Sequence, residues 1–285
     1  MEYLTSSAFL DVTEISKSIS HAIAENLLGT KQLPKIILRY ADLKANYNSF
    51  TYDECTDPSV QSIWKFSSGV TPYQDYDDTS NIPIPITCPA FVNEDNVISF
   101  DFPVWFNLKS SIRVMMLTQA PMPRSTEWYG ECKDAICSTT FGIHNATWRK
   151  KGNGGKRMCK LIQRIIQNDI GVYLTDCKKF YILDKHSDRR VEETEEQLSA
   201  YKKVLLSELD IIKPSLVVTF GNEAKTQLSQ LVDVANFRVL HLPHFSGQAQ
   251  GRIKDFFCWD SARTFTVNEQ IEHYFKIINN SLLYD

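Results

Sequence analysis

Apolar positions in the second half of the chain form short continuous runs, which are separated by segments with helical spacing. The runs lie at 114–117, 172–175, 216–220 and 238–242. The helical segments between them lie at about 156–169, 192–211 and 222–232. Buried strands that alternate with helices predict an α/β fold of three αβα layers with a central parallel sheet. Because such sheets bind ligands at the carboxyl ends of their strands, we expect the chemistry in the segments that follow the four runs.

The first 105 residues have a different pattern. Residues 6–29 and 34–50 have apolar positions at helical spacing, whereas 57–91 are rich in Pro, Asp and Tyr and predict irregular chain. Residues 98–106 predict an edge strand, because Pro103 would interrupt the hydrogen bonding of a central strand. We therefore expect a partly helical N-terminal extension over 1–105 and an α/β domain over 106–285.

The charge balance excludes a protein that is basic over its whole surface, since 31 Lys and Arg residues accompany 34 Asp and Glu residues. A nucleic-acid enzyme remains compatible with this balance, because phosphate binding needs only one local basic face. The stretch 149–160 is strongly basic, and we expect it either to contact phosphates or to be the solvated start of a helix. Its candidate phosphate ligands are Arg149, Lys150, Lys151 and Lys156.

Two further features concern the location of the protein and its cofactors. No apolar run approaches the roughly 18 residues of a membrane helix, and the start of the chain lacks the features of a signal peptide. We therefore expect a cytoplasmic protein without membrane contact, which we take to be a monomer. The seven cysteines form no C-x-x-C pair, so we expect reduced thiols, no metal and no cofactor.

The segments that follow the four runs include TQAP (118–121), TDCKK (175–179), GNEA (221–224) and PHFSGQ (243–248). Each alone is typical of many α/β folds, but in this order they resemble the motifs of the uracil-DNA glycosylase superfamily, across about residues 110–260. The resemblance implies that 106–285 is a catalytic domain acting on DNA. Such enzymes flip a base out of the duplex, stack it on an aromatic ring and read its edge. They then break the bond between base and sugar and leave an abasic site.

The resemblance also implies roles for individual residues. His244 would stabilise the negative charge that develops on the departing base, and Phe141 would be the stacking ring, although it could instead be an ordinary core aromatic. Ala120 and Pro121 would line the base pocket. The residues expected to contact DNA are Ser246, Gly247, Gln248, Arg252, Lys178 and Lys179. Some relatives hold an iron–sulfur cluster, but one of its cysteine positions is Phe180 here, so we expect no cluster.

Two departures from the family pattern concern the residues that handle water and base. The first motif usually carries a carboxylate that activates water, whereas this chain has Gln119 and Ala120, so Gln119 would orient the water unless Glu127 substitutes for the acid. Asp176 stands where uracil enzymes have asparagine. A carboxylate offers acceptors only, which suits the N4 amine of cytosine and not the O4 of uracil. The alternative is that Asp176 caps the following turn.

A third departure concerns the wall of the base pocket. Met122 stands where uracil-specific relatives have a tyrosine or glycine, and a flexible methionine is a poorer barrier to substituents at the pyrimidine 5-position. Excision of plain cytosine would destroy the genome of the host. The substrate predicted is therefore a 5-modified cytosine in DNA, which resembles the target of phage-defence glycosylases that remove glucosylated hydroxymethylcytosine. The alternatives are a uracil-DNA glycosylase of base-excision repair and a catalytically silent DNA-binding module.

Overall fold

The structure is a computed structural model that describes residues 14–34, 36–37, 40, 96–121, 136–143, 153–184, 186–187, 189–246, 249–259 and 265–283. Near the amino terminus, helix α1 (Glu14–Ile23) continues into a π-helical turn (Ala24–Leu28) and a 3-10 turn (Thr30–Gln32). Strands β1 (Asn96–Asp101) and β2 (Val104–Phe106) follow.

The central sheet consists of β2, β3 (Arg113–Thr118), β5 (Gly171–Asp176), β7 (Leu216–Phe220) and β8 (Val239–Leu242). Its strand order is β2-β5-β3-β7-β8. Strands β5, β3, β7 and β8 are parallel, and β2 is antiparallel to β5 at the edge. A smaller sheet has the order β4-β1-β6 and includes β4 (Ile136–Ser138) and β6 (Phe180–Asp184).

Helices flank the central sheet in two groups. Helix α2 (Asn153–Ile166) packs against α6 (Val267–Leu283), and α3 (Glu195–Ile212) packs against α1 and α4 (Asn222–Leu231). The short helix α5 (Gln250–Phe256) follows the β8 loop. Thr194 and Gln197 begin α3 with reciprocal hydrogen bonds between side chain and backbone, which satisfy two amides of its first turn. The predicted α/β fold with a central parallel sheet is confirmed.

The segment predicted as one edge strand at 98–106 forms two strands in different sheets. Phe102 and Pro103 separate them, and of these two strands β2 alone lies in the central sheet, at one of its edges. The predicted boundary at 105/106 falls inside β2. Ile19 and Ile23 of α1 belong to the same buried core as the central strands, so the described part of the first 105 residues packs with the α/β domain. No helix within the described ranges is long and apolar enough to cross a membrane.

Candidate active site

The carboxyl ends of β3 and β5 lie side by side. Thr118 is the register partner of Asp176, and the pairing continues past both strands, because the Cys177 and Lys178 amides donate to the carbonyl oxygens of Thr118 (2.9 Å) and Gln119 (3.0 Å). Gln119 and Ala120 are half-buried there, and Pro121 is buried. The structure therefore brings the first predicted motif next to Asp176.

Asp176 is fully buried at this edge of the sheet. The Thr118 hydroxyl donates to its Oδ1, whereas Oδ2 has no hydrogen-bond partner within the described part of the chain. Burial raises the pKa of Asp176 well above its usual range, and the negative charge of Asp101 raises it further. The amides of Cys177 and Lys178 donate to backbone carbonyls of the β3 segment and not to the Asp176 carboxyl. These two amides therefore give no support to the alternative that Asp176 caps the following turn.

A buried ionic network lies behind Asp176. The Lys179 ammonium is 1 % exposed and donates to Asp101 Oδ2 (3.0 Å) and to Glu208 Oε1 (2.8 Å). Asp101 Oδ2 also accepts from the backbone amide of Asp176 (3.0 Å) and from the Thr175 hydroxyl. Burial alone would lower the pKa of Lys179, but Glu208 and Asp101 raise it to about 12.

The predicted contact of Lys179 with DNA phosphate is wrong, because its ammonium is enclosed by these carboxylates and cannot reach the surface without breaking both ion pairs. Its neighbour Lys178 points elsewhere and pairs with Glu193 (2.6 Å), whose carboxylate also binds Arg190 (2.6 Å). The charge of Lys178 is therefore already compensated, and contact with DNA would require that pair to open.

His244 lies two residues beyond β8. Its Nδ1 accepts the backbone N–H of Ser246 (3.1 Å), so the proton of the neutral imidazole belongs on Nε2. Burial lowers the pKa of His244, which favours this neutral form. The side chain thus offers a fixed Nε2–H donor, as electrostatic stabilisation of a departing base requires.

Three neighbours fix the backbone around His244. The Tyr274 hydroxyl donates to the Pro243 carbonyl (2.9 Å), and Arg157 donates to the Phe245 carbonyl (3.3 Å). Gly221, after β7, has a φ of 90°, and a Cβ there would lie 3.3 Å from His244 Cβ. Both the left-handed φ and the close approach therefore favour glycine.

Phe141 and its neighbour Thr140 link the two parts of the site, which are His244 and Asp176. Phe141 lies in a 3-10 turn (Thr140–Gly142) at a φ of 58°, and its ring is stacked on His244 with centroids 4.8 Å apart and planes at 27°. The adjacent Thr140 hydroxyl lies near the Asp176 carboxyl and lowers its pKa, although it forms no hydrogen bond within the described residues. This turn therefore places the predicted stacking ring, the histidine and the aspartate in one region.

The remaining predicted residues divide into two groups. Ser246 is half-buried beside His244, Lys156 is half-buried in the first turn of α2, and Arg252 is exposed on α5. The predictions that lie outside the described residues are those for Glu127, Met122, Gly247, Gln248, Arg149, Lys150 and Lys151. In the portion that the structure describes, no group of three or more His, Cys, Asp or Glu side chains is arranged to hold a metal ion.

Sequence reasoning missed Asp101, Glu208 and Tyr274, and it assigned Arg157 only to the basic stretch 149–160. A signal was present for the two acids. Asp101 interrupts the apolar run ISFDFPVWF, and Glu208 occupies the apolar face of α3 together with Tyr201, Leu205 and Ile212. An acidic residue in a buried position is rarely left without a partner, so each position is a signal for a buried cation. Neither position identifies which cation it is.

A family model matches the part of the chain that carries most of this site. No curated protein matches the chain. The family model described as the uracil DNA glycosylase superfamily matches residues 106–266, more than half of the 285 residues. The matched region contains Thr118, Phe141, Asp176 and His244, whereas Asp101 precedes it. The chain therefore belongs to the uracil DNA glycosylase superfamily.

Proposed function

We propose that this protein is a monofunctional DNA N-glycosylase that flips out and excises a 5-modified cytosine, leaving an abasic site. Membership of the superfamily suggests DNA glycosylase activity. The observation that supports the choice of base is Asp176, a buried carboxyl whose Oδ2 has no hydrogen-bond partner among the described groups. A buried polar atom without a partner costs free energy, and a bound base is the natural source of the missing hydrogen bond.

The protonation states of Asp176 favour cytosine over uracil. Cytosine presents its N4 amine as a donor, and an aspartate can accept from it both as a carboxylate and as a neutral acid. Uracil presents O4, which is an acceptor, so a hydrogen bond at this position requires the neutral acid. The N4 position of cytosine is thus compatible with Asp176 in both of its states, and the O4 position of uracil in one.

The other side chains support hydrolysis of the bond between base and sugar. Phe141 and His244 already lie together, so a base placed against the Phe141 ring is brought to the imidazole. The bond from the base nitrogen to the sugar C1′ breaks and its electron pair leaves with the base. The Nε2–H of His244 stabilises the resulting negative charge on the base carbonyl oxygen. Water oriented by Gln119 then adds to C1′, and its released proton goes to the solvent.

The 5-substituent and the biological role rest on the sequence. Met122 leaves the 5-position less enclosed than a tyrosine would, and an enzyme that removed plain cytosine would be toxic to its own cell. We therefore propose hydroxymethylcytosine or its glucosylated form in phage DNA as the substrate, and defence against phage as the role.

Base release from four duplex oligonucleotides tests this function. They carry uracil, cytosine, hydroxymethylcytosine or glucosylated hydroxymethylcytosine at one position, and alkali converts each abasic site into a strand break. We expect breaks at modified cytosine alone. His244→Ala should lower the rate about 10²- to 10³-fold, as loss of one such donor does in other enzymes. His241→Ala is the matched control, because His241 lies in β8 and its ring bonds Thr219 (2.7 Å).

Two outcomes would contradict the proposal in different ways. Breaks at uracil alone would mean that the base assignment is wrong, whereas binding of DNA without any break would favour the silent DNA-binding module. Uracil is the second candidate because burial raises the pKa of Asp176, and the neutral acid can donate to O4 and accept from N3–H. Asp176→Asn keeps one donor and one acceptor, so a uracil enzyme should tolerate it.

A further inference from the structure

The Asp176 carboxyl belongs to a buried cluster in which negative charges outnumber positive ones. Asp101, Asp176 and Glu208 are each fully buried, the charge of Asp101 acts on both other carboxyls, and Lys179 bonds Asp101 and Glu208. If all three carboxyls were ionised, two negative charges would remain uncompensated in the core. An unpaired buried carboxylate takes up a proton instead of remaining charged.

The hydrogen bonds indicate which carboxyl takes the proton. Asp101 Oδ2 accepts from the Lys179 ammonium (3.0 Å), the Thr175 hydroxyl and the Asp176 amide (3.0 Å). Both oxygens of Glu208 accept from Lys179 (2.8 and 2.9 Å). Asp101 Oδ2 thus has three donors, and the bonds from Lys179 to Glu208 oppose the increase that burial causes in the pKa of Glu208.

Asp176 has much weaker support for a negative charge. Its Oδ1 accepts from the Thr118 hydroxyl, and its Oδ2 has no partner in the described chain. The Lys179 ammonium bonds Asp101 and Glu208 instead. The groups that act on Asp176 are Asp101 from β1, Lys179 after β5, Thr118 from β3 and Thr140 from the 3-10 turn. Asp101 is thus a like charge that opposes ionisation of Asp176.

We propose that Asp101 is a positioning residue for base recognition, which holds the Asp176 backbone through its amide and keeps the Asp176 side chain as a neutral carboxylic acid. The neutral acid has one O–H donor and one carbonyl acceptor. Asp176 Oδ2 can therefore either donate to the base or accept from it, depending on which carboxyl oxygen carries the proton. Asp101 precedes the residues 106–266 that match the superfamily, so the segment before the matched region contributes directly to the support of the base-reading side chain.

Infrared spectroscopy of the full-length protein without DNA tests the protonation state. We expect a band of a protonated carboxyl at neutral pH in the wild type that is missing from Asp176→Asn. In Asp101→Asn the like charge is removed, so the band should disappear at a lower pH than in the wild type. Asp184→Asn is the matched control, because Asp184 is a half-buried aspartate at the end of β6 that accepts from the backbone amides of His186 and Ser187 (2.8 Å each). It should leave the band unchanged.

Two results would overturn the proposal: a spectrum at neutral pH that is identical in wild type and Asp176→Asn, or a band that titrates identically in wild type and Asp101→Asn. If Asp101→Asn does not fold, Thr118→Val replaces it. That variant removes the hydroxyl that stabilises the charged form of Asp176, so the band should persist to higher pH, and an unchanged or opposite shift would contradict the proposal.

The consequence for base selection rests on the proposed function. Ionisation of Asp176 excludes uracil O4 and leaves the N4 amine of cytosine acceptable. Asp101→Asn should therefore weaken binding of a uracil oligonucleotide, relative to one that carries modified cytosine, at neutral pH. If no oligonucleotide is cut at all, the glycosylase proposal fails, while the infrared spectra still decide the state of Asp176.

Discussion

Replacement of Gly154 by alanine tests whether the Phe141 ring must lie where the structure places it. Gly154 is the second residue of α2, and a Cβ at this position would lie 2.8 Å from Cδ1 and 3.2 Å from Cε1 of Phe141. Carbon atoms in contact are normally about 3.5–4.0 Å apart, so the ring has to move. Because the ring is stacked on His244, the movement disturbs the stack.

Two opposing contributions determine the stability of this variant. Alanine is favoured over glycine in a helix by about 0.8–1.0 kcal/mol, whereas overpacking costs about 1–3 kcal/mol. We therefore expect Gly154→Ala to lose between about 0 and 2 kcal/mol of unfolding free energy. Stacking of a base on an aromatic ring contributes about 1–3 kcal/mol, so its loss should lower kcat/KM about 5- to 150-fold.

Gly251→Ala is the matched control for the helix effect. Gly251 is also the second residue of a helix, α5, but a Cβ there meets no atom of the described chain within 4 Å. This control should gain up to about 1 kcal/mol. Urea unfolding of both variants and base release by Gly154→Ala are the measurements. If both variants change stability equally and Gly154→Ala excises at the wild-type rate, Phe141 is not the stacking ring in this arrangement.

Two further predictions concern the buried charges and the histidine. Lys179→Met leaves Asp101 and Glu208 buried without their cation and should destabilise the fold by about 3–5 kcal/mol. Lys178→Met should cost less unfolding free energy, because Arg190 still pairs with Glu193. Equal losses in urea unfolding would contradict the network. The pKa of His244 is lowered by burial, so the folded state binds fewer protons than the unfolded state. The stability linked to His244 is therefore complete above the unfolded pKa of about 6.5, and it is lost as the pH falls through the lower folded pKa. The free energy of unfolding should therefore fall less on acidification in His244→Ala than in the wild type. If the two curves of unfolding free energy against pH are parallel, His244 is not the group responsible.

The elements of the α/β domain could be predicted because their signals are local. The run 216–220 coincides with β7, and the segment expected at 222–232 became α4 (Asn222–Leu231). Helix α2 begins earlier than expected because its first turn contains Gly154 and Gly155, which have no apolar side chain to mark it. The strand ends also predicted the neighbourhood of Asp176, since carboxyl ends of adjacent parallel strands lie together.

The different surroundings of Lys178 and Lys179 could not be predicted from local sequence patterns. Lys178 and Lys179 are adjacent in sequence and were both expected at DNA, yet one pairs with Glu193 and the other lies in the core. Alternation of side chains along an extended segment predicts that neighbours point in opposite directions. It does not predict that the inward side meets two carboxylates.

The sequence by itself determined the fold class, the order along the chain of the strands that carry the motifs, and the presence of Asp176 and His244 at or just after their ends. Tertiary structure decided the chemical state of these groups. Asp101 and Lys179 meet across a sequence separation of 78 residues, and Phe141 and His244 stack across one of 103 residues. Periodicity reports which face of an element is buried, but the protonation of a carboxyl and the tautomer of a histidine depend on the charges and donors that distant segments bring into contact with them.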